Sequence, residues 1–168
     1  IPPTGPAAGL RDALLTSIAV ARGDGAEASR LAAEAVAAAP NLAAPQLATS
    51  YARQLALDLD AAVAAAEEAA RLAPMSPLAQ ARLAELHLMR GEIRQAQATA
   101  ARAVELGGGP LADIVQGFAA LAALRGARAE QSFRRAPSPE TVLASRPAST
   151  STTPRTRQGN RFASCQYL

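Results

Sequence analysis

The sequence predicts an all-α protein built from repeated helical hairpins, and three observations lead to this fold class. Alanine fills 45 of the 168 positions and aromatic residues make up only 3%, a composition that favours helices over strands. No run of four or more β-branched residues is present to form the buried strands of a parallel sheet. Small residues and turn residues recur with a period of 34 over most of the chain.

The repeat is defined by columns of turn residues and small residues that share one register. Pro40 recurs as Pro74 and then as Gly108. Three alanine columns keep the same spacing: Ala28, Ala62 and Ala96; Ala32, Ala66 and Ala100; Ala35, Ala69 and Ala103. A fourth copy, shorter by one residue, carries these features: Gln116–Gly117, Ala129, Phe133 and Ala136. Alanine matches alone would mean little in this chain, so the shared register of proline and glycine establishes the period.

Each copy predicts two short helices in succession. The first helices are predicted over residues 9–22, 43–56, 77–90 and 110–124. The second helices are predicted over residues 25–38, 59–72, 93–106 and 127–136. Their alanines recur at i, i+4 and i+7, on one face of each second helix, where small side chains allow neighbouring helices to approach closely.

The predicted helix ends coincide with capping signals. Asp24 and Glu27 have the spacing of a capping box, and Asp58 and Glu92 occupy the same column as Asp24. The pair Ser76–Pro77 predicts an N-cap followed by proline at the first helical position. A run of three glycines and a proline, residues 107–110, predicts the end of one helix and the start of the next.

This pattern resembles the tetratricopeptide repeat, a 34-residue helix–turn–helix unit. The third copy carries the resemblance best, through these residues: Leu83–Ala84, Gly91, Ala96, Ala100 and Ala103. The resemblance covers residues 8–136, in repeats of 8–41, 42–75, 76–108 and 109–136. It implies a right-handed superhelical solenoid whose first helices line the concave face.

The chain departs from the family pattern in three places. The aromatic residue expected in the first helix is replaced throughout, by Ala19, Arg53, His87 and Ala120. Tyr51 stands two residues before this column, and Leu57 and Leu124 replace the turn glycine in alternate repeats. The runs 116–121 and 133–136 are similar to bacterial arrays associated with FecR-type domains, which are found in periplasmic proteins.

The charge of the chain divides at residue 136. Residues 1–136 carry 13 Arg and 13 acidic residues, so the net charge of +3 comes entirely from residues 137–168. A neutral repeat domain argues against nucleic-acid binding. The last 32 residues are rich in Ser, Thr, Pro and Arg without helical or strand periodicity, which predicts a disordered tail. A reading-frame change after Ala136 is the alternative interpretation of this segment.

The sequence offers little for catalysis. His87 is the only histidine and Cys165 the only cysteine, so paired-histidine metal sites and cysteine clusters are excluded. The glycines at 107–109 lack the lysine of a phosphate-binding loop. No apolar run reaches the length of a membrane span. We therefore expect neither an enzyme nor a metal or other cofactor.

The concave face is the remaining candidate site. The resemblance implies that three columns of the first helices face it: Ser17, Tyr51, Glu85 and Phe118; Val20, Gln54, Leu88 and Leu121; Ala13, Leu47, Ala81 and Ile114. They mix apolar groups with a few polar groups, and Arg82 adjoins them, which suits a protein or peptide segment as the partner. The predicted partner-binding residues are Tyr51, Gln54, Arg82, Glu85 and Phe118.

Two alternatives to an interaction scaffold remain open from the sequence. The array could be a docking or regulatory part of a larger enzyme, such as a glycosyltransferase, or a passive structural spacer. The chain starts at Ile1 rather than Met, as a fragment or a processed product would. The arginine-only basic composition suggests a bacterial source. The sequence leaves open both the oligomeric state and whether the compartment is the periplasm or the cytoplasm.

Overall fold

The computed structural model describes residues 5–136, which form eight α-helices in four consecutive hairpins. In chain order they are α1 (Pro6–Ala21), α2 (Gly25–Ala38), α3 (Ala43–Leu55), α4 (Leu59–Leu72), α5 (Pro77–Met89), α6 (Ile93–Glu105), α7 (Gly109–Ala122) and α8 (Gly126–Arg135). The predicted all-α fold is confirmed, and each helix lies where the repeat predicts it. The largest deviation is the start of α1, where Gly5 and Pro6 begin the helix earlier than predicted. The predicted disordered tail, residues 137–168, lies outside the described residues.

The hairpins stack in one direction, and the two helices of each hairpin have different neighbours. Each first helix contacts the first helix of the next repeat, so that α1, α3, α5 and α7 form a continuous layer. The second helices α2, α4 and α6 each pack on their own partner and on the first helix of the next repeat, and α8 packs on α7. Within residues 5–136, second helices do not contact each other. In a curved stack the layer in mutual contact is the inner one, so the first helices form the concave side.

The alanine columns form the core between helices. Ala62, Ala66, Ala96 and Ala100 have no solvent exposure, which confirms the predicted register. Ala64 is exposed, as its position on the opposite face of α4 requires. Helix axes can approach to about 8 Å only where the contact residues are small. The fold therefore depends on close helix packing rather than on large apolar side chains.

Three helices, α2, α4 and α5, begin with a side-chain cap, as predicted. The side chains of Asp24, Asp58 and Ser76 each accept a hydrogen bond from the backbone N–H three residues further on. Glu92 holds the same position before α6 but makes no such bond. Its carboxylate instead lies 2.6 Å from His87 Nδ1, across the end of α5. The predicted cap at Glu92 is therefore wrong, because a buried histidine binds its carboxylate.

The turn between the two helices of every hairpin needs one residue in the left-handed region. Gly23 and Gly91 have φ angles of 74° and 76°, while Leu57 and Leu124 have 61° and 58° in the same column. A side chain is strained in this conformation, whereas glycine is not. The two leucines are also 91% and 94% exposed. Repeats two and four therefore carry local strain that repeats one and three avoid.

Candidate functional site

A groove runs between α5 and α7 on the side formed by the first helices. It encloses about 500 Å³. Its apolar walls include Leu88, Met89, Ile114 and Phe118, and Glu85 supplies a carboxylate at its edge. Met89 is 50% exposed and Phe118 is 53% exposed. Exposed apolar side chains grouped in one concavity are typical of binding sites.

Beside this groove, the guanidinium of Arg82 connects α5 to α3. Its Nε donates to Ser50 Oγ at 2.9 Å, and its Nη2 donates to the Ser50 carbonyl at 3.1 Å and to Gln54 Oε1 at 2.6 Å. Its Nη1 donates to Glu85 Oε2 at 2.8 Å. The Tyr51 ring covers the guanidinium, with 3.8 Å between the ring centroid and Cζ, a cation–π contact. These five residues are called the Arg82 cluster below.

Four of the five predicted site residues therefore meet in one network. Tyr51, Gln54 and Glu85 surround Arg82, although α3 and α5 belong to different repeats. Arg82 itself is only 1% exposed. A ligand in the groove would reach the residues around the guanidinium rather than the guanidinium itself. The expectation that Arg82 contacts a ligand directly does not fit this burial, because its hydrogen bonds draw it between the helices.

Ser50 is the member of the cluster that the sequence analysis missed. It has no solvent exposure and its hydroxyl donates to the Leu47 carbonyl at 2.7 Å while accepting from Arg82. Ser50 occupies the small-residue column of the first helix, together with Thr16, Ala84 and Gly117. A hydroxyl in a column that otherwise admits small groups is a signal of a buried hydrogen bond, but nothing in the sequence names Arg82 as the partner.

Burial raises the pKa of the Tyr51 phenol above its usual value. The positive charge of Arg82 acts in the opposite direction and lowers this pKa, and the negative charge of Glu85 adds to the increase. Tyr51 thus stays a neutral phenol at neutral pH. It brings a hydroxyl to the Arg82 cluster without adding a charge.

Phe118, the fifth predicted site residue, lies on the opposite wall of the groove from the Arg82 cluster. Its ring meets the Phe133 ring edge to face, with centroids 5.3 Å apart and planes at 74°. Phe133 in turn leaves no room at Gly117, where an added Cβ would lie 2.4 Å from the Phe133 ring. Phe118 and Glu85 both line the groove, which connects the fifth residue to the other four.

Within residues 5–136, the remaining ionisable groups provide no second site of this kind. His87 is 8% exposed and its Nδ1 lies 2.6 Å from a carboxylate oxygen of Glu92, so it is a buried, paired residue of the core. The described part of the chain contains no group of three or more His, Cys, Asp or Glu residues placed to hold a metal ion. Among the helices of residues 5–136, none has both the length and the apolar character that a membrane crossing needs.

The fold and the groove together define a class of protein. Residues 5–136 form an all-α solenoid of tetratricopeptide-like hairpins with an apolar groove on the first-helix face.

Comparison with known proteins supports this fold. The crystal structure of MamA protein superposes on the chain with a TM-score of 0.62, covering 74% of this chain and 69% of that one. The two sequences are 18% identical, so the likeness concerns the fold alone. No protein-family model and no curated protein sequence matches the chain.

Proposed function

We propose that the chain is a non-enzymatic interaction scaffold that binds a segment of a partner protein in the groove between α5 and α7. The observation that carries this proposal is the pairing of an exposed apolar wall with a polar edge. Ile114 and Phe118 lie on the wall, and Glu85 lies at the edge. Binding surfaces of this composition hold a partner by apolar contacts and fix its register by a few polar ones.

The polar edge is already ordered before a partner arrives. One oxygen of Glu85 accepts from Arg82, and the Glu85 side chain is 42% exposed. Its second oxygen can therefore accept from an N–H or a cationic group of the partner. The Gln54 amide is fixed on Arg82 in the same way. Side chains held in place by a buried guanidinium lose little rotamer entropy on binding, which favours affinity.

A displayed peptide library tests this proposal without knowledge of the natural partner. Peptides selected on the full chain would be measured by calorimetry against the parent and two variants. Phe118→Ala removes the largest exposed ring of the groove and should weaken binding about tenfold or more. Arg102→Ala is the matched control, since Arg102 lies on α6 and pairs with Glu105. It should change the affinity less than about twofold.

Two outcomes would contradict this assignment. Weaker binding by Arg102→Ala with no effect of Phe118→Ala would place the ligand on the second-helix side. If no peptide is retained better by the parent than by Phe118→Ala, the spacer alternative replaces the scaffold. The docking or regulatory array of a larger enzyme, and the association with FecR-type domains, would each appear as a further domain in the full-length gene.

A protein partner fits the charge distribution better than a nucleic acid. Arginine and acidic residues are equal in number over residues 1–136. On the described surface, arginines such as Arg30 and Arg71 pair with glutamates on their own helices. A phosphate backbone needs unpaired cations along one face.

A further inference from the structure

The first described helix exposes apolar side chains at positions that are buried in every later repeat. Leu14 is 68% exposed. The residues one, two and three repeats further on are Ala48, Arg82 and Val115, and none of them is more than 5% exposed. In those repeats the position faces the preceding repeat. Leu14 therefore occupies half of a repeat-stacking contact.

Ile18, one turn further along α1, repeats this observation. Ile18 is 47% exposed, whereas its counterparts Ala52, Leu86 and Ala119 are at most 1% exposed. Leu14 and Ile18 lie at i and i+4, so they form one apolar patch, called the α1 face below. This face has the composition of an internal one.

The fourth repeat exposes the other half of the same contact. A concavity of about 450 Å³ lies between the end of α7 and α8, with Leu121, Ala129 and Phe133 in its lining. Glu130 and Arg134 form a polar rim and pair with each other. An apolar centre within a polar rim is the usual anatomy of a protein interface. Leu121 is 46% exposed and Phe133 is half-buried, whereas Ala129 is already buried. Leu121 and Phe133 are called the α8 face below.

The two faces match because the chain already contains their joined form. Leu88 packs on a buried cluster that includes Val115 and Ala119 of the next first helix. Leu121 is the counterpart of Leu88 one repeat later, and Leu14 and Ile18 are the counterparts of Val115 and Ala119. Ala129 and Phe133 likewise take the places of Ala96 and Ala100 in that cluster.

We propose that the α8 face of one copy binds the α1 face of a second copy, so that successive copies continue the stack of repeats. In this contact Leu121 packs on Leu14 and Ile18, as Leu88 packs on Val115 and Ala119 within the chain. The two faces differ, so the contact is head to tail and leaves one free face at each end. The assembly therefore grows with concentration rather than stopping at a dimer. It does not use the groove between α5 and α7.

Sedimentation velocity on the full chain at increasing concentration tests the proposal. The parent should form species larger than a dimer. The double variant Leu14→Glu with Ile18→Glu and the variant Leu121→Glu each place a charge on one face and should weaken association about tenfold or more. Leu57→Glu is the control, because Leu57 is 91% exposed on a turn distant in sequence from both faces. It should associate as the parent does.

Mixing the two face variants gives the decisive measurement. Each retains one intact face, so the mixture should form one-to-one dimers and nothing larger, while each variant alone stays monomeric. Circular dichroism melting would first show that every variant is folded. A parent that stays monomeric overturns the proposal, whether or not another segment of the chain covers these faces. Dimers of the Leu121→Glu variant alone also overturn it, because they would indicate that two α1 faces bind each other.

Discussion

The junction between α3 and α5 and the junction between α5 and α7 use the same helix positions with opposite chemistry. At the position that faces the preceding first helix, α5 has Arg82 and α7 has Val115. The first junction is held by hydrogen bonds from the guanidinium, and the second by a cluster of apolar side chains. The groove adjoins the polar junction at Glu85, which lines the groove and accepts a hydrogen bond from Arg82.

The extent of contact between successive first helices follows the size of the side chain at this one position. The residue is Ala48 between α1 and α3, Val115 between α5 and α7, and Arg82 between α3 and α5. The extent of contact between the two helices falls in the same order, and α3 and α5 touch least. A larger side chain keeps helix axes further apart. Residues of one column therefore differ in both size and polarity between the three junctions, and the extent of contact differs with them.

Among the variants that distinguish the two junctions, replacing Arg82 should cause the largest loss of stability. Arg82→Ala leaves a cavity between α3 and α5 and removes the bonds to Ser50, Gln54 and Glu85. We expect a loss of about 3 kcal/mol in the free energy of unfolding. Chemical denaturation followed by circular dichroism measures it.

Arg82→Met is the matched variant that separates packing from hydrogen bonding. Methionine fills much of the same volume and brings no charge, and buried ionic groups are often replaceable by apolar ones at little cost. It should lose less than about 1.5 kcal/mol. If Arg82→Ala and Arg82→Met lose equal stability, hydrogen bonds rather than volume hold this junction. A loss below about 1 kcal/mol for both would show that Arg82 is not structural.

Overpacking tests the apolar junction at its closest approach. Ala96 has no exposure and belongs to the cluster that joins α5, α6 and α7. Ala96→Leu should cost on the order of 1–3 kcal/mol, because the added atoms must displace a neighbouring helix. Thermal unfolding would show this as a lower Tm. Ala64→Gln, on the exposed side of α4, should leave the Tm unchanged, and an unchanged Tm for Ala96→Leu would contradict the packing register.

The sequence predicted the helices better than the site, and the reason is physical. Helix ends follow from local signals such as the caps at Asp24 and Ser76, and the alanine columns fix which faces meet. The position of Arg82 depends on how far apart α3 and α5 lie, which is a property of the whole stack. Its partner Ser50 is 32 residues away. Local periodicity places both residues on first helices but cannot show that one side chain reaches the other.

The sequence predicts Tyr51 as a residue of the partner-binding face. In the structure Tyr51 is half-buried, and its ring covers the guanidinium of Arg82. A cation–π contact of this kind has no signature in sequence spacing, since the cation comes from the next repeat.

Phe118→Ala tests how much the groove wall contributes to the fold. Its ring packs edge to face on Phe133 but is half exposed, so we expect a loss of only about 1 kcal/mol in unfolding free energy. Urea denaturation checks this value. A loss above about 3 kcal/mol would make Phe118 a core residue, and weaker peptide binding by the same variant would then reflect unfolding rather than a lost contact.

Replacing Leu57 and Leu124 should stabilise the protein by similar amounts, although the two turns follow helices of different junctions. Leu57→Gly and Leu124→Gly relieve a left-handed backbone at exposed positions, for a gain of about 0.5–1 kcal/mol each. Two separate melting curves measure the gain. The strain is local to each turn, so similar gains are expected although only Leu57 precedes the polar junction. A gain at Leu124 alone would show that the turn at Leu57 is coupled to the Arg82 cluster.

The smallest expected effect is a loss of stability at alkaline pH, which arises from Tyr51 at the polar junction between α3 and α5. Burial raises the pKa of Tyr51, so the folded protein holds the phenol proton more tightly than the unfolded chain does. This contribution is complete below the ordinary tyrosine pKa of about 10, and it is lost as the pH rises through the higher pKa of the folded state. The unfolding free energy of the parent minus that of Tyr51→Phe should therefore be constant up to about pH 9.5 and then decrease.

Phenylalanine keeps the ring over the guanidinium and removes only the ionisable group, so other titrations cancel in the difference. Parallel loss of stability in the two proteins would show that the phenol proton of Tyr51 is not coupled to the packing of α3 on α5.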